Sequence, residues 1–191
     1  TPSEAYLGVG DCLVLQVVGV QPTSWQPDNI VTASVDSAGK VCGVAAGDTF
    51  IRAMSDDTLL GQSKVMVRKI EVTPPQAAFP VLSNLQLTAT GGTSYTWGSS
   101  NSSIASVNEN GLVTGKAPGT VIITATDTVS KLRASSSLEV VKIEINPAVA
   151  YLKKDATVQL TASGGKEYTW LSSASNIASV DSSTGLVTAK T

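Results

Sequence analysis

Residues 69–115 read KIEVTPPQAAFPVLSNLQLTATGGTSYTWGSSNSSIASVNENGLVTG, and residues 142–191 read KIEINPAVAYLKKDATVQLTASGGKEYTWLSSASNIASVDSSTGLVTAKT. The two stretches align at an offset of 73 residues, so that Trp97 matches Trp170. Self-similarity at a fixed period of this kind indicates a tandem array of structural units. The fold of one unit therefore decides the fold of the chain.

A more diverged copy precedes these two at an offset of 72 residues. In this alignment Leu13 matches Leu85 and Trp25 matches Trp97. The repeat unit is about 72 residues, and the 191 residues hold a little more than two and a half units. The repeats predict three modules, at residues 1–68 (module 1), 69–141 (module 2) and 142–191 (module 3).

Only module 2 contains the whole repeat. Module 1 has no counterpart of the KIEV segment at residues 69–72, and module 3 has no counterpart of residues 117–141. We therefore expect module 1 to lack its first strand and module 3 to lack its last two strands. We also expect the natural chain to continue in both directions.

The pattern within a repeat is typical of β-structure. Leu85–Ala89 and residues 121–125 alternate or cluster apolar residues as short strands do, and Asn110-Gly111 is a strong hairpin turn. Helical periodicity is absent. About seven short strands in about 72 residues predict an all-β fold of small sandwiches. Residues 65–72 join two copies without Gly or Pro, so we expect the modules to form an elongated, semi-rigid rod with small interfaces.

The composition excludes several classes of function. The chain has no His, and its formal net charge is −2. Without His there is no Ser-His-Asp triad and no His metal ligand. The weak negative charge gives no basic patch for nucleic acid, and no apolar run reaches the ~18 residues of a membrane-spanning helix. We expect no enzyme activity, no cofactor, no nucleic-acid partner and no membrane insertion by this segment.

The motifs of the repeat resemble those of a known family. Module 2 carries Trp97-Gly98-Ser99-Ser100-Asn101, Ile104-Ala105-Ser106-Val107 and the run GLVTGKAPGT at residues 111–120, which is similar to the bacterial immunoglobulin-like (Ig-like) group 2 domain. Module 1 departs from this pattern, with Ala45-Ala46-Gly47 in place of Ala-Pro-Gly. The resemblance implies Ig-like sandwiches, as found in intimin- and invasin-type adhesins, other repetitive adhesins, S-layer-associated proteins and phage appendages.

The acidic residues form neither a catalytic pair nor a calcium site. Calcium between stacked domains needs clustered oxygen ligands. Glu71 and Glu144 recur at equivalent junction positions, but no second acid recurs beside either, and Asp56-Asp57 is the one adjacent acidic pair. Acids in predicted turns are interpreted as solvated turn residues: Asp36, Glu109, Asp127, Asp155 and Asp181. We assign no catalytic residue and no metal ligand.

The three Trp residues, Trp25, Trp97 and Trp170, occupy one repeat position. Exposed Trp residues in such an array would offer a platform for stacking sugar rings. The position falls on the strand where Ig-like sandwiches bury a core Trp, so we predict structural core residues instead. Trp97 and Trp170 are expected to be buried against Leu87 and Leu160, respectively.

Cysteine occurs only in module 1, at Cys12 and Cys42. Their neighbours Leu13 and Val41 match apolar residues in both other copies, so by alternation the two cysteines point to the outer face. The two segments correspond to strands B and E, which are adjacent in one sheet of an Ig-like sandwich. Opposed residues there have Cβ atoms ~4.5–5.5 Å apart. We predict a disulfide, and with it an oxidising compartment.

Three functions fit these features. The favoured hypothesis is a stalk segment of a bacterial cell-surface adhesin of the intimin/invasin kind, which projects a distal binding region and is anchored through regions outside this segment. Its partners would be the neighbouring repeats of the same chain and a host-surface protein or glycan. The second hypothesis is an appendage of a phage tail or capsid that contacts the host surface weakly. The third is an accessory module of a secreted glycan-active enzyme.

Overall fold

The computed structural model describes residues 2–165 and 167–191. These residues form β-strands, turns and loops, and no helix is found among them. The all-β prediction is confirmed. The strand ladders of the described residues each lie within one of the three ranges defined by the repeats.

Module 1 consists of two facing sheets. The four-stranded sheet has the order β1-β7-β6-β3, with β1 parallel to β7, and the three-stranded sheet has the order β2-β5-β4. Its strands are β1 (Glu4–Gly8), β2 (Cys12–Val14), β3 (Ser24–Pro27), β4 (Ala33–Val35), β5 (Lys40–Gly43), β6 (Gly47–Ser55) and β7 (Thr58–Arg68).

Module 2 repeats these sheets and adds one ladder. The orders are β12-β15-β16-β9, with β9 parallel to β16, and β10-β14-β13, while β8 pairs with β11. Its strands are β8 (Glu71–Thr73), β9 (Gln76–Pro80), β10 (Asn84–Gln86), β11 (Thr88–Thr90), β12 (Tyr95–Ser99), β13 (Ala105–Val107), β14 (Leu112–Gly115), β15 (Gly119–Asp127) and β16 (Arg133–Val141). Residues 16–18 match β11 but form no strand in module 1, because the segment that would pair with them has no counterpart there.

Module 3 contains β17 paired with β19 and a sheet of order β18-β21-β20. Its strands are β17 (Glu144–Asn146), β18 (Thr157–Gln159), β19 (Thr161–Ser163), β20 (Ala178–Val180) and β21 (Leu186–Ala189). Residues 149–153 and 168–172 match β9 and β12, yet neither segment is assigned to a strand. In module 2 the partners of β9 and β12 are β16 and β15, which have no counterpart in residues 142–191.

The segment predicted as one strand at Leu85–Ala89 is divided between two sheets. β10 pairs with β14, and β11 pairs with β8. Leu87 lies at the crossover, is 1% exposed, and donates its backbone N–H to the Gly111 carbonyl at 2.9 Å. The prediction of a single strand was wrong because one apolar side chain at the crossover serves both sheets.

The core of module 2 is built by alternation on the long strands. Val121, Ile123 and Ala125 of β15 and Leu138 and Val140 of β16 are each no more than 1% exposed. They pack with Leu87 and Val113 of the facing strands in one cluster. Burying each large aliphatic side chain contributes about 1.5–3 kcal/mol, so this cluster holds the two sheets together.

Each Trp lies against the glycine of a hairpin turn. Gly111 has φ +77°, and a Cβ added there would lie 2.5 Å from the Leu87 carbonyl oxygen and 2.9 Å from Cζ2 of Trp97. The same arrangement joins Gly39 to Trp25 and Gly185 to Trp170. A residue with a side chain fits this position neither in conformation nor in space.

The indole rings are less buried than predicted. Trp25, Trp97 and Trp170 are all half-buried, and the first two pack against the core clusters of their modules. One edge of each indole ring covers the backbone of its hairpin turn near the surface. Complete burial would require side chains packed against both faces of the ring. The expectation of complete burial of Trp97 and Trp170 is corrected accordingly.

A substitution at Gly111 tests this packing. Gly111→Ala should lower the free energy of unfolding of module 2 by about 2 kcal/mol, because it adds backbone strain and overlaps Trp97. Gly98→Ala is the matched control, since a Cβ at Gly98 meets no atom within 4 Å. Chemical denaturation followed by amide hydrogen exchange in module 2 measures both. Equal stability of the two variants would contradict the packing described.

Candidate functional site at the junctions between modules

The connections between modules are very short. Two residues, Lys69 and Ile70, separate β7 from β8, and residues 142–143 separate β16 from β17. Lys69 Nζ lies 2.5 Å from Glu71 Oε1, and Lys142 Nζ lies 2.8 Å from Glu144 Oε1. The recurring glutamates therefore each pair with a lysine. The hydrogen bond from Glu71 raises the pKa of Lys69, but exposed ion pairs of this kind contribute little stability.

A glycine turn closes on the linker at both junctions. Gly91 has φ +86°, and a Cβ added there would overlap the carbonyl oxygen of Lys69. Gly164 has φ +85° and stands in the same relation to Lys142. The linker backbone thus lies directly on the glycine, and any side chain at this position would displace it. The contact holds the linker backbone against module 2 at the first junction and against module 3 at the second.

A tyrosine holds each of these turns. The backbone N–H of Gly92 donates to Tyr95 Oη at 2.6 Å, and the N–H of Gly165 donates to Tyr168 Oη at 2.5 Å. Tyr95 begins β12, so its bond ties the first turn to a sheet of module 2, and Tyr168 makes the same bond at the matching position of module 3. The glycine pair and its Tyr thus form one repeated junction element.

Asp127 joins this turn to a second loop in module 2. Its Oδ1 accepts N–H groups from Thr93 at 2.8 Å and Ser94 at 3.3 Å. Its Oδ2 accepts the N–H of Ser130 at 2.7 Å and the Ser130 hydroxyl at 2.6 Å. The residue is only 2% exposed. The interpretation of Asp127 as a solvated turn residue was therefore wrong, because its carboxylate is the shared acceptor of two loops.

The hydrogen bonds determine the charge state of this carboxylate. Burial alone would raise the pKa of Asp127, but the bonds from Ser130, Thr93 and Ser94 outweigh burial and hold the pKa well below its usual range. The folded pKa is thus depressed relative to the unfolded chain. The stabilisation is fully present above about pH 4 and is lost as the pH falls toward the folded pKa.

The second loop lies near module 1. Its residue Leu132 is half-buried, and a Cβ placed on Gly8 of module 1 would lie 3.7 Å from Leu132 Cδ2. The Leu132 carbonyl also accepts the backbone N–H of Asp127 at 2.9 Å. Leu132 thus lies close to Gly8 of module 1, and Asp127 links this loop to the glycine turn that contacts the linker.

Module 1 carries a different set at these positions. Ser55 matches Asp127, and Gly19-Val20 match Gly91-Gly92. A Cβ on Gly19 would meet no atom within 4 Å. The linker residues that contact Gly91 have no counterpart within residues 1–68. Repeat comparison could not identify Asp127 as a junction residue, because neither other copy in this sequence contains a matching Asp.

The disulfide lies away from the junctions, in the body of module 1. Cys12 and Cys42 are directly opposed on β2 and β5, face outward, and are joined by a disulfide. In module 2 the matching pair is Asn84 and Thr114, and the Thr114 hydroxyl donates to Asn84 Oδ1 at 2.8 Å. The predicted pairing is confirmed, and one cross-strand position carries a covalent bond in one copy and a hydrogen bond in the next.

The remaining acids show no clustering. Within residues 2–165 and 167–191, no three acidic or cysteine side chains lie together in a way that could hold a metal ion. Asp181 is exposed in a turn, where bonds from Thr184 and Ser183 lower its pKa to about 2. Its interpretation as a turn residue agrees with this position. Over the same residues, no helix is long and apolar enough to cross a membrane.

Residues 66–135 and 139–191 match the sequence family described as bacterial Ig-like domain (group 2). The chain belongs to this family. The match extends through both junctions that carry the glycine turn. The fold and the repeated motifs, Trp97 and Trp170 among them, are thus those of the bacterial Ig-like group 2 domain.

Three known proteins are similar over part of their length. Ice-binding protein 1 of Shewanella frigidimarina (strain NCIMB 400) is 29% identical over 159 residues, which is 74% of this chain and 18% of that protein. The C-terminal 282-residue fragment of intimin, solved in complex with the intimin-binding domain of the translocated intimin receptor, has a TM-score of 0.50 at 20% identity, covering 67% of this chain and 55% of that one. Invasin, a bacterial integrin-binding protein, has a TM-score of 0.43 at 21% identity, covering 74% and 34%.

Removing the Asp127 charge tests the junction element. Asp127→Asn should lower the free energy of unfolding of module 2 by about 2 kcal/mol at pH 7, because the amide NH₂ would face the Ser130 donors. The variant should also lose less stability than the wild type between pH 5 and pH 3. Asp36→Asn in module 1 is the control, since Asn108 accepts the same two backbone bonds at the matching position of module 2. Urea denaturation across this pH range measures both, and an unchanged pH dependence in Asp127→Asn would refute the role of the carboxylate.

The disulfide yields a separate test. Mass spectrometry without reduction should find no alkylatable thiol in the protein secreted to an oxidising compartment. Replacing both cysteines by Ser should lower the stability of module 1 by roughly 3–4 kcal/mol in the chain-entropy model, for a sequence separation of 30 residues. The stability of module 2 should not change. Two free thiols in the secreted protein would show that the bond does not form.

Proposed function

We propose that this chain is a stalk segment of a bacterial cell-surface adhesin, which projects a distal binding region and has no catalytic role. The observation that carries the proposal is the repeated junction, in which Gly91 and Gly164 each receive the backbone of a two-residue linker. Domains joined by flexible linkers would not need such a contact. A stiff stalk would need one at every junction.

The mechanics follow from the junction geometry. A linker of Gly and Ser would let neighbouring modules reorient freely. Here the linker backbone is seated on a turn, the turn is bonded to Tyr95, and Asp127 adds the loop that bears Leu132. Bending at the junction would move Leu132 away from Gly8 of module 1. The modules, bounded near residues 68–69 and 141–142, are thus proposed to follow one another as an elongated, semi-rigid rod.

The location is proposed from chemistry and family. A disulfide such as that of Cys12 and Cys42 persists in oxidising surroundings, which fits the outside of a bacterial cell. In this proposal the anchor lies in regions outside the segment. Low charge and a surface rich in Ser and Thr also suit a segment that stands in solvent.

The partners are proposed by analogy. Intimin is described as binding the translocated intimin receptor, and invasin is described as binding integrin. We propose that the protein that contains this chain likewise contacts a host-surface protein through a distal region, while modules 1–3 contact chiefly their neighbours. The chain spans only 18% of the ice-binding protein and 55% of the intimin fragment, so no ligand of those proteins is assigned to these residues.

Small-angle scattering tests the stalk. A compact globule of 191 residues would have a radius of gyration of ~16 Å, whereas modules about 30 Å long set end to end should give a clearly larger value. Gly91→Val should broaden the distance distribution by freeing the first junction, while Gly98→Val, within a strand, should not. A compact wild-type particle, with modules 1 and 3 in contact, would contradict the proposal.

A further inference from the structure

The outer face of the four-stranded sheet is built from different side chains in modules 1 and 2. The strand registers show which residues occupy the same positions on this face. In module 1 these positions carry aromatic, sulfur-containing and charged side chains: Tyr6, Met66, Lys64, Arg68, Asp48 and Phe50. In module 2 the same positions, in the same order, carry smaller side chains with a single charge: Ala78, Glu139, Ser137, Val141, Thr120 and Ile122.

The centre of the module 1 face is raised and apolar. Met66 alternates with the core residues Val65 and Val67, so it lies on the outer face, yet it is only 5% exposed because neighbouring side chains cover it. Tyr6, its ladder partner, and Phe50 remain 36% and 37% exposed. Aromatic residues and Met are enriched at protein interfaces. The face therefore has the composition of a protein contact surface.

The module 2 face contains a shallow depression at the matching place. Its volume is about 500 Å³, and it is lined by Ala78, Thr120, Ser137 and Glu139 among others. The depression exists because these side chains are small at positions where module 1 carries larger ones, such as Tyr6 opposite Ala78 in the repeat. The two faces are therefore complementary in relief.

The two faces also carry groups of opposite charge. On the module 1 face Asp48 accepts two cations, Arg68 Nη1 at 2.7 Å and Lys64 Nζ at 3.3 Å, and the Lys64 side chain is 37% exposed. Neither Glu4, the ladder partner of Lys64, nor Glu139 in the depression belongs to an ion pair among the residues that the structure describes. A cation brought over the depression would give Glu139 a partner. Opposite charges placed in this way orient two surfaces and favour their encounter.

We propose that the module 1 face of one chain packs against the module 2 face of a second copy of the chain. In this contact Tyr6 enters the depression above Ala78, and Lys64 pairs with Glu139. The contact is heterologous, because the two faces belong to different modules, and each chain carries both. It places chains side by side. The proposal does not depend on the stalk function, since the contact needs only the folded modules 1 and 2.

The area of the contact predicts its strength. Three rows of side chains on three strands cover roughly 300 Å² of sheet face per copy. This is well below the ~800 Å² per partner of a stable interface. Association of two chains is therefore weak and reversible, and chains with more repeats gain from several contacts at once.

Dilution of the isotope-labelled 191-residue chain tests the contact. Sedimentation velocity should show reversible self-association over a hundredfold range of concentration. Amide chemical shifts should change on dilution in β1 and β7 of module 1 and in β9 and β16 of module 2. Shifts in β2, on the other sheet of module 1, should stay constant.

Substitutions at the two faces locate the contact. Tyr6→Ala gives module 1 the residue of module 2 and should weaken self-association at least about tenfold, because it removes the aromatic ring. Tyr151→Ala is the matched control, since Tyr151 aligns with Tyr6 and is 96% exposed but lies outside any strand. Ala78→Tyr fills the depression and should weaken association as much. It tests the same contact in the other module if Tyr6→Ala unfolds module 1.

A charge exchange distinguishes this contact from other modes of association. Glu139→Lys and Lys64→Glu should each weaken self-association, and a mixture of the two variants should associate more strongly than either alone, because opposite charges then meet between chains. Glu109→Lys, in the turn between β13 and β14, should have no effect. The proposal is overturned if the wild-type chain stays monomeric, if Tyr6→Ala and Ala78→Tyr associate like the wild type, or if the mixture associates no better than its components.

Discussion

The contact between the Lys69 carbonyl and Gly91 holds the linker backbone against module 2. It depends on a glycine at φ +86°, which holds the turn away from ordinary side-chain conformations and leaves room for the linker. Tyr95 and Asp127 then fix that turn to the module. The same contact at Gly164 shows that the junction, and not only the sandwich, is part of the repeat.

Energetically, the modules and the junctions rest on different forces. Each complete sandwich is held by a packed aliphatic core, to which Ile123 and Leu138 belong, and each such side chain contributes on the order of 2 kcal/mol. The contacts at the junction are hydrogen bonds and close backbone packing. Module stability and the junction contacts can therefore be changed by different substitutions.

Much of the fold could be predicted because the chain repeats. Alignment of the copies put the three Trp residues at one position, and the strand order of Ig-like sandwiches placed Cys12 beside Cys42. The repeat gave no signal for Asp127, which is matched by Ser55 in module 1 and by no residue in module 3. A buried carboxylate that accepts bonds from two loops looks in sequence like any turn Asp, because burial depends on distant residues. The crossover at Leu87 was also missed, because the alternation of apolar and polar residues continues unbroken through it.

The orientation of module 2 relative to module 1 is the most direct test of the proposed stalk. Residual dipolar couplings measured separately for modules 1 and 2 report whether both follow one alignment tensor. If the Lys69–Gly91 contact sets the direction of the chain, the two modules should share one tensor of similar magnitude in the wild type. Clearly different magnitudes for the two modules, of the kind seen for domains joined by a free linker, would contradict the account.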